Sequence, residues 1–261
     1  GAKSYYLGRV ANDSHGKHYT EDMGKCGVGF SGPGSDEQGT GTCVVLITPD
    51  TERTMLTHLG VSSSLHPENV DGTIVKNSRG VYIEGYLWTG DGTREAGQHM
   101  AGIAKKEGIP VSFTLSDAFV VNSFKESLTE FINSYVDILF CNEVEAQAMT
   151  GESSSLAAFK KLQAMVDTVF LTLGSKGSLV GKSGQEPVEV KTFPVKAVDT
   201  TGAGDLFAAG ALYGILENHS LEESAIIGSY CAAQVVSHMG ARLPLGSLTD
   251  DKTIISAYEK I

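Results

Sequence analysis

Between residues 81 and 173 the chain alternates short apolar runs with longer stretches of helical period, and this order limits the fold more than any other feature. Residues 81–87, 110–115, 136–141 and 168–173 read as strands; residues 93–107, 122–134, 143–150 and 156–165 read as the helices around them. Several of the strands are apolar almost throughout rather than at alternate positions. That pattern belongs to parallel strands buried beneath helices on both faces. Two further helices are expected at 205–217 and 221–238. The outcome is one α/β domain over residues 1–261.

Two regions depart from the alternation. Residues 30–65 hold strand-like runs at 43–48 and 53–57, broken by Gly, Asp and Pro, which suits a small antiparallel β lid. Residues 4–10 read as a strand at the very start of the chain, where a doubly wound sheet would normally place a central one.

Charge and cysteine content narrow the function. Twenty basic against 31 acidic side chains leave a net charge of −11, so the chain lacks the basic surface that binds nucleic acid by counterion release. The four cysteines, Cys26, Cys43, Cys141 and Cys231, form no C-x-x-C pair, and the chain is too large to need disulfide staples. Reduced thiols in a cytoplasm are expected. The longest apolar stretch, 206–216, is far shorter than the roughly 20 residues of a membrane span, and no signal peptide opens the chain.

The densest chemical signal is Asp199-Thr200-Thr201-Gly202-Ala203-Gly204-Asp205, followed at once by an apolar helical run. Gly202 and Gly204 let successive N–H groups turn toward one point, and the positive end of the helix dipole adds to the field there. Asp205 stands at the mouth of that anion hole, where a carboxylate can accept the proton of an attacking hydroxyl. Asp and Thr are also ordinary helix caps, so capping is the competing account.

Three other segments carry similar pairs of readings. Asn142-Glu143-Val144-Glu145 ends an apolar strand, and is either an N-cap with acidic first-turn residues or part of a phosphate and Mg²⁺ site. Thr172-Leu173-Gly174-Ser175-Lys176-Gly177 runs from a strand into a glycine turn that fits both a hairpin and a phosphate loop. His238, near a helix C-terminus, suits the dipole better than it suits catalysis. An apparent P-loop at residues 177–183 has three residues between its glycines instead of four, with no helix after it.

Taken in order and spacing, these segments resemble the ribokinase-like, PfkB-type carbohydrate and nucleoside kinases, whose late signature D-T-x-G-A-G-D is matched from Asp199 to Asp205. The resemblance implies a three-layer α/β/α fold with a mostly parallel sheet, and ATP-dependent transfer of a phosphoryl group to a primary hydroxyl of a sugar or nucleoside. It implies Asp205 as general base and Gly202, Ala203 and Gly204 with it as the anion hole. Asn142, Thr172, Gly174 and Gly177 would lie along the nucleotide, and Glu145 would hold Mg²⁺ through water. Asp199, Thr201, Val235, His238 and Gly240 would surround a monovalent cation such as K⁺.

Members of that family carry an earlier strand with a substrate-binding Asp and a Gly-Gly-x-x-x-N segment, and neither occurs in these 261 residues. The resemblance therefore implies such a part before Gly1. Ribose, fructose, a ketodeoxy sugar acid and a nucleoside stay open as acceptors, and a non-catalytic nucleotide or sugar binder of the same fold is the alternative from another class. No nucleic-acid or membrane partner is expected, and the edges of the lid leave a homodimer open.

Overall fold

The computed structural model describes residues 2–30, 32, 34–35, 37–48 and 53–261. The chain gathers into two compact units, Gly1–Val111 and Ser112–Ile261.

In the first unit, the strand expected over residues 4–10 shrinks to β1 (Tyr5–Tyr6), paired in parallel with β2 (Gly29–Phe30). Between them lies α1 (Ser14–Lys25), a helix not anticipated because its only buried residue is Gly16 and no apolar stripe marks it. Asp13 fixes its start. One carboxylate oxygen accepts the N–H of Gly16 at 2.8 Å and the hydroxyl of Thr40 at 2.7 Å, and the other accepts the N–H of Thr40 at 2.8 Å. Those donors, the Thr40 backbone N–H first among them, hold the Asp13 carboxyl down at about 2.

The lid is a two-stranded antiparallel hairpin of β3 (Thr42–Ile47) and β4 (Arg53–His58), in register from Thr42 opposite His58 to Ile47 opposite Arg53. Asp50, Thr51 and Glu52, part of the expected lid segment, lie outside the described residues. Beyond the hairpin come α2 (Gly72–Lys76), β5 (Val81–Glu84) and α3 (Asp91–Lys106). The strand expected over 81–87 stops at Glu84, because Gly85–Thr89 turns into a 3₁₀ helix that buries Trp88 at 1% exposure. Trp88 is thus a packing residue.

The second unit is built on strands β6 (Val111–Thr114), β7 (Ile138–Asn142), β8 (Thr168–Thr172), β9 (Ser178–Lys182) and β10 (Val188–Val190), in the spatial order β10-β9-β8-β7-β6. β6, β7 and β8 run parallel; β9 returns antiparallel to β8, and β10 to β9. The helices are α4 (Ala118–Tyr135), α5 (Glu143–Thr150), α6 (Ser155–Gln163), α7 (Ala203–Leu216), α8 (Leu221–Val236) and α9 (Asp251–Tyr258).

Pairing register assigns the faces of this sheet. Phe140, Phe170 and Val180 stand side by side on one face, where the Phe140 and Phe170 rings stack 5.0 Å apart and Phe170 meets Phe207 of α7 edge-on at 6.2 Å. Such ring pairs add about 0.5–1.5 kcal/mol beyond area burial. On the other face, a side chain at Gly181 would press on Gln163 and Phe159 of α6. Helices therefore cover both faces, as the apolar runs required. α7 and α8 pack closely where Gly210 faces Gly228 and Gly214 faces Ser224; a Cβ on Gly210 would stand 2.8 Å from the Gly228 Cα. No helix is long and apolar enough to cross a membrane among the described residues.

Candidate active site

The polar residues of the second unit gather at the carboxyl ends of its parallel strands, the edge at which open α/β sheets bind ligands. Asn142 and Thr172 are the last residues of β7 and β8, and register sets Asn142 beside Thr172 and Thr172 beside Ser178 on one face. That is the face of Phe170, hence of α7. Ser178, at 2% exposure, contributes a buried hydroxyl with no hydrogen-bond partner to the same row.

Asn142 does cap α5, so the capping account is correct. Its Oδ1 accepts the N–H of Glu145 at 2.9 Å, while Glu145 Oε2 accepts the N–H of Asn142 at 3.0 Å and Oε1 accepts its Nδ2–H at 2.6 Å. Glu145 is only 5% exposed. Burial lifts its carboxyl to about 7; the Asn142 N–H opposes this, and the negative charge of Asp117 reinforces it. The glycine turn joins antiparallel β8 and β9, as the hairpin reading expects. Gly174 has a φ of +60°, and Gly177 has φ +99° and ψ −138°, with the Val190 carbonyl oxygen 2.0 Å from where a Cβ would stand. Only glycine fits there.

At α7 the capping account of Asp205 does not hold. The N-cap is Gly202, in the left-handed region at φ +80° and ψ 2°. A Cβ on Gly202 would lie 2.7 Å from the Ala241 carbonyl oxygen. Ala203, Gly204 and Asp205 form the first turn, and Asp205 is exposed there. A carboxylate at the positive end of an apolar helix meets a favourable field, and it shares that end with N–H groups able to receive an anion.

Asp199 lies directly before this turn and is completely buried. One of its oxygens accepts the Thr201 N–H at 2.9 Å and the Thr201 hydroxyl at 2.6 Å, and the other accepts the Gly240 N–H at 2.8 Å. Gly240 reaches it at φ +92°. The structure thus brings Asp199, Thr201 and Gly240 together. Val235 and His238 are placed differently: the Val235 carbonyl accepts the His238 N–H at 3.1 Å, and the exposed His238 ring has Nδ1 2.9 Å from the Gln234 carbonyl. Val236 is the α8 residue whose carbonyl receives the N–H groups of Val198 and Asp199, at 2.7 and 3.3 Å. Its role has no signature in sequence spacing.

The donor set suits hard cations. No group of three or more His, Cys, Asp or Glu side chains able to hold a metal occurs among the described residues. Mg²⁺ keeps most of its waters and needs few carboxylates, so the single buried Glu145 fits it through water. The buried Asp199 carboxylate, turned by neutral donors at Thr201 and Gly240, offers oxygen ligands of the kind that suit a hard cation.

Phe119 has no part in the motifs, yet it lies at the same edge. After β6 come Ser116, held at φ +68°, and Asp117, whose Oδ1 accepts the Phe119 N–H at 2.6 Å to start α4. The Phe119 side chain is 64% exposed in the first turn. A large apolar ring left to solvent at a ligand-binding edge is the signal that could have found it.

Comparison with known proteins agrees with this geometry. The chain is 28% identical over 263 residues to adenosine kinase of Saccharomyces cerevisiae, covering 95% of this chain and 76% of that protein. The solved structure of adenosine kinase from Sinorhizobium meliloti superposes with a TM-score of 0.91 at 35% identity, covering 100% of this chain and 78% of that one. A probable sugar kinase from Rhizobium etli CFN 42 does so with a TM-score of 0.91 at 33% identity, covering 100% and 77%. The fold is therefore ribokinase-like α/β, as the motif order implied. The pattern of the pfkB family carbohydrate kinases matches residues 1–247, and the chain belongs to that family.

Proposed function

We propose that this protein transfers the γ-phosphoryl group of ATP to a primary hydroxyl of a nucleoside. The observation that carries the proposal is the exposed Asp205 carboxylate in the first turn of α7, a helix whose N-cap is a left-handed glycine. Asp205 takes the proton of the acceptor hydroxyl as the oxygen attacks the γ-phosphorus in line. The N–H groups of residues 202–205 receive the negative charge that spreads over the transferring group and its leaving oxygen. Positioning and electrostatics supply most of the acceleration in such reactions.

Asn142, Thr172, Gly174 and Gly177 line the edge along which the nucleotide would lie. Exposed Val198 and Met239 flank the Asp199–Gly240 hydrogen bond and offer apolar surface to a base. Asn142 and Glu145 would hold Mg²⁺ through water, and Asp199, Thr201 and Gly240 would hold K⁺; Mg²⁺ would there offset the negative charge of the phosphates. The four cysteines are free, which suits a reducing cytoplasm.

Phe119 favours a nucleoside over a free sugar as acceptor. A sugar presents hydroxyls, whereas a base presents a flat face that an exposed ring can stack on, worth about 1–3 kcal/mol. Phe119→Ala should therefore raise KM for a purine nucleoside by about tenfold or more and leave KM for ribose unchanged. Steady-state kinetics with both acceptors decide this, and equal KM values for the nucleoside in variant and parent would contradict it. ATP consumption by the full-length protein against a panel of nucleosides and sugars tests the activity itself. Calorimetric ATP binding without turnover of any panel member would favour the non-catalytic binder.

A further inference from the structure

Helix α9 lies beyond residue 247, where the family match ends. Asp250 starts it by accepting the Thr253 N–H at 3.0 Å, and Ile254 anchors it at 3% exposure. Two tethers hold its ends. In the first turn, Asp251 Oδ2 is 2.8 Å from Nε2 of His219 in the turn between α7 and α8. In the last turn, the Tyr258 hydroxyl accepts the backbone N–H of Lys191 at 2.8 Å. The Tyr258 ring lies 5.8 Å from Phe193, which meets Tyr230 of α8 edge-on at 5.3 Å.

Lys191 begins the connection from β10 to Asp199, which has no regular structure. Its carbonyl accepts the Ser229 hydroxyl of α8 at 3.2 Å; at the far end, the N–H groups of Val198 and Asp199 meet the Val236 carbonyl. Residues 194–198 are exposed between the two anchors. An exposed connection of this kind has little cohesion of its own, so its path depends on where its ends are held. One end is held on the last turn of α8, the other by α8 and α9 together.

We propose that α9 is a clamp and that Tyr258 is a positioning residue for the nucleotide edge. By fixing Lys191 and Phe193 on α8, Tyr258 sets the path of residues 192–198 and thereby the direction in which Asp199 meets Thr201 and Gly240. The proposal rests on the reading of Asp199 and Val198 as parts of the ion and nucleotide site. It assigns α9 an effect on ATP and K⁺ affinity, with no contact to the acceptor or to Asp205.

Two variants test it on the full-length protein. Tyr258→Phe keeps the ring and removes the acceptor of the Lys191 N–H; Tyr258→Ala removes both. KM for ATP and the half-saturating K⁺ concentration should rise about threefold in the first and about tenfold in the second, while kcat at saturation and the acceptor KM stay within about twofold. An unchanged ATP KM in folded Tyr258→Ala would overturn the clamp, as would a fall in kcat that merely follows a fall in Tm. If Tyr258→Ala does not fold, Tyr258→Phe carries the test, and an unchanged ATP KM there overturns the proposal. A parent enzyme indifferent to K⁺ would refute the ion reading of Asp199 while leaving the ATP KM to judge the clamp.

Discussion

Replacing Asp205 with asparagine should give a folded protein that binds ATP almost as the parent does and turns over about 10²- to 10⁴-fold more slowly. The size follows from what general bases contribute, and the selectivity follows from geometry. Asp205 is exposed in the first turn of α7, and the N-cap position is held by Gly202. Asparagine keeps the shape and loses only the charge, whose attraction to the dipole is worth about 0.3–1 kcal/mol. The backbone N–H groups that receive phosphate are untouched. The loss should therefore fall on kcat, with little change in Tm or in the Kd of ATP measured by calorimetry. Turnover near that of the parent would remove Asp205 from the mechanism; a parallel loss of ATP binding would make it a ligand of the nucleotide instead of a base.

Where the chain's physics is local, its sequence told the structure well. β6, β7 and β8 are buried on both faces, so their apolar character is continuous and visible without any partner. The turn from Asp199 to Asp205 is contiguous, and Gly202 marks where the backbone must enter the left-handed region and pass close to Ala241. Elements with little buried surface were hidden. α1 buries only a glycine, and α9 only Ile254, so little buried apolar surface marks either of them. The strand expected over residues 4–10 failed for a related reason: apolar Leu7 and Val10 flank Arg9, whose guanidinium instead bonds the Ser64 carbonyl and hydroxyl at 2.7 and 2.8 Å. Long-range choices were hidden too. That Val236, rather than its neighbour Val235, meets the Asp199 N–H depends on how α8 lies against the incoming chain, and no spacing encodes it. Phe119 was overlooked because one aromatic residue in a helix says nothing until its exposure is known.

Glu145 supplies the second large effect, which is a pH dependence of stability. Burial raises its carboxyl from an ordinary 4.5 to about 7, with Asp117 adding to the rise. The folded protein therefore holds a proton that the unfolded chain has already released between those two values. The sign follows from linkage: stability falls as pH rises from about 4.5 to 7 and is level above that, for a total on the order of 3 kcal/mol. Glu145→Gln cannot titrate and keeps one oxygen for the Asn142 N–H, at a cost of about 1 kcal/mol for the hydrogen bond from Asn142 Nδ2 that it loses. Urea unfolding followed by far-ultraviolet circular dichroism should show the variant less stable than the parent at pH 4.5 and more stable at pH 8. Parallel curves across that range would mean that Glu145 is ionised in the folded protein throughout. A positive ion near the carboxylate favours its charged form, so Mg²⁺ with ATP should flatten the parent's slope and leave the variant's unchanged. A slope that ATP and Mg²⁺ do not alter would separate Glu145 from the metal and leave it as the buried half of the α5 capping box.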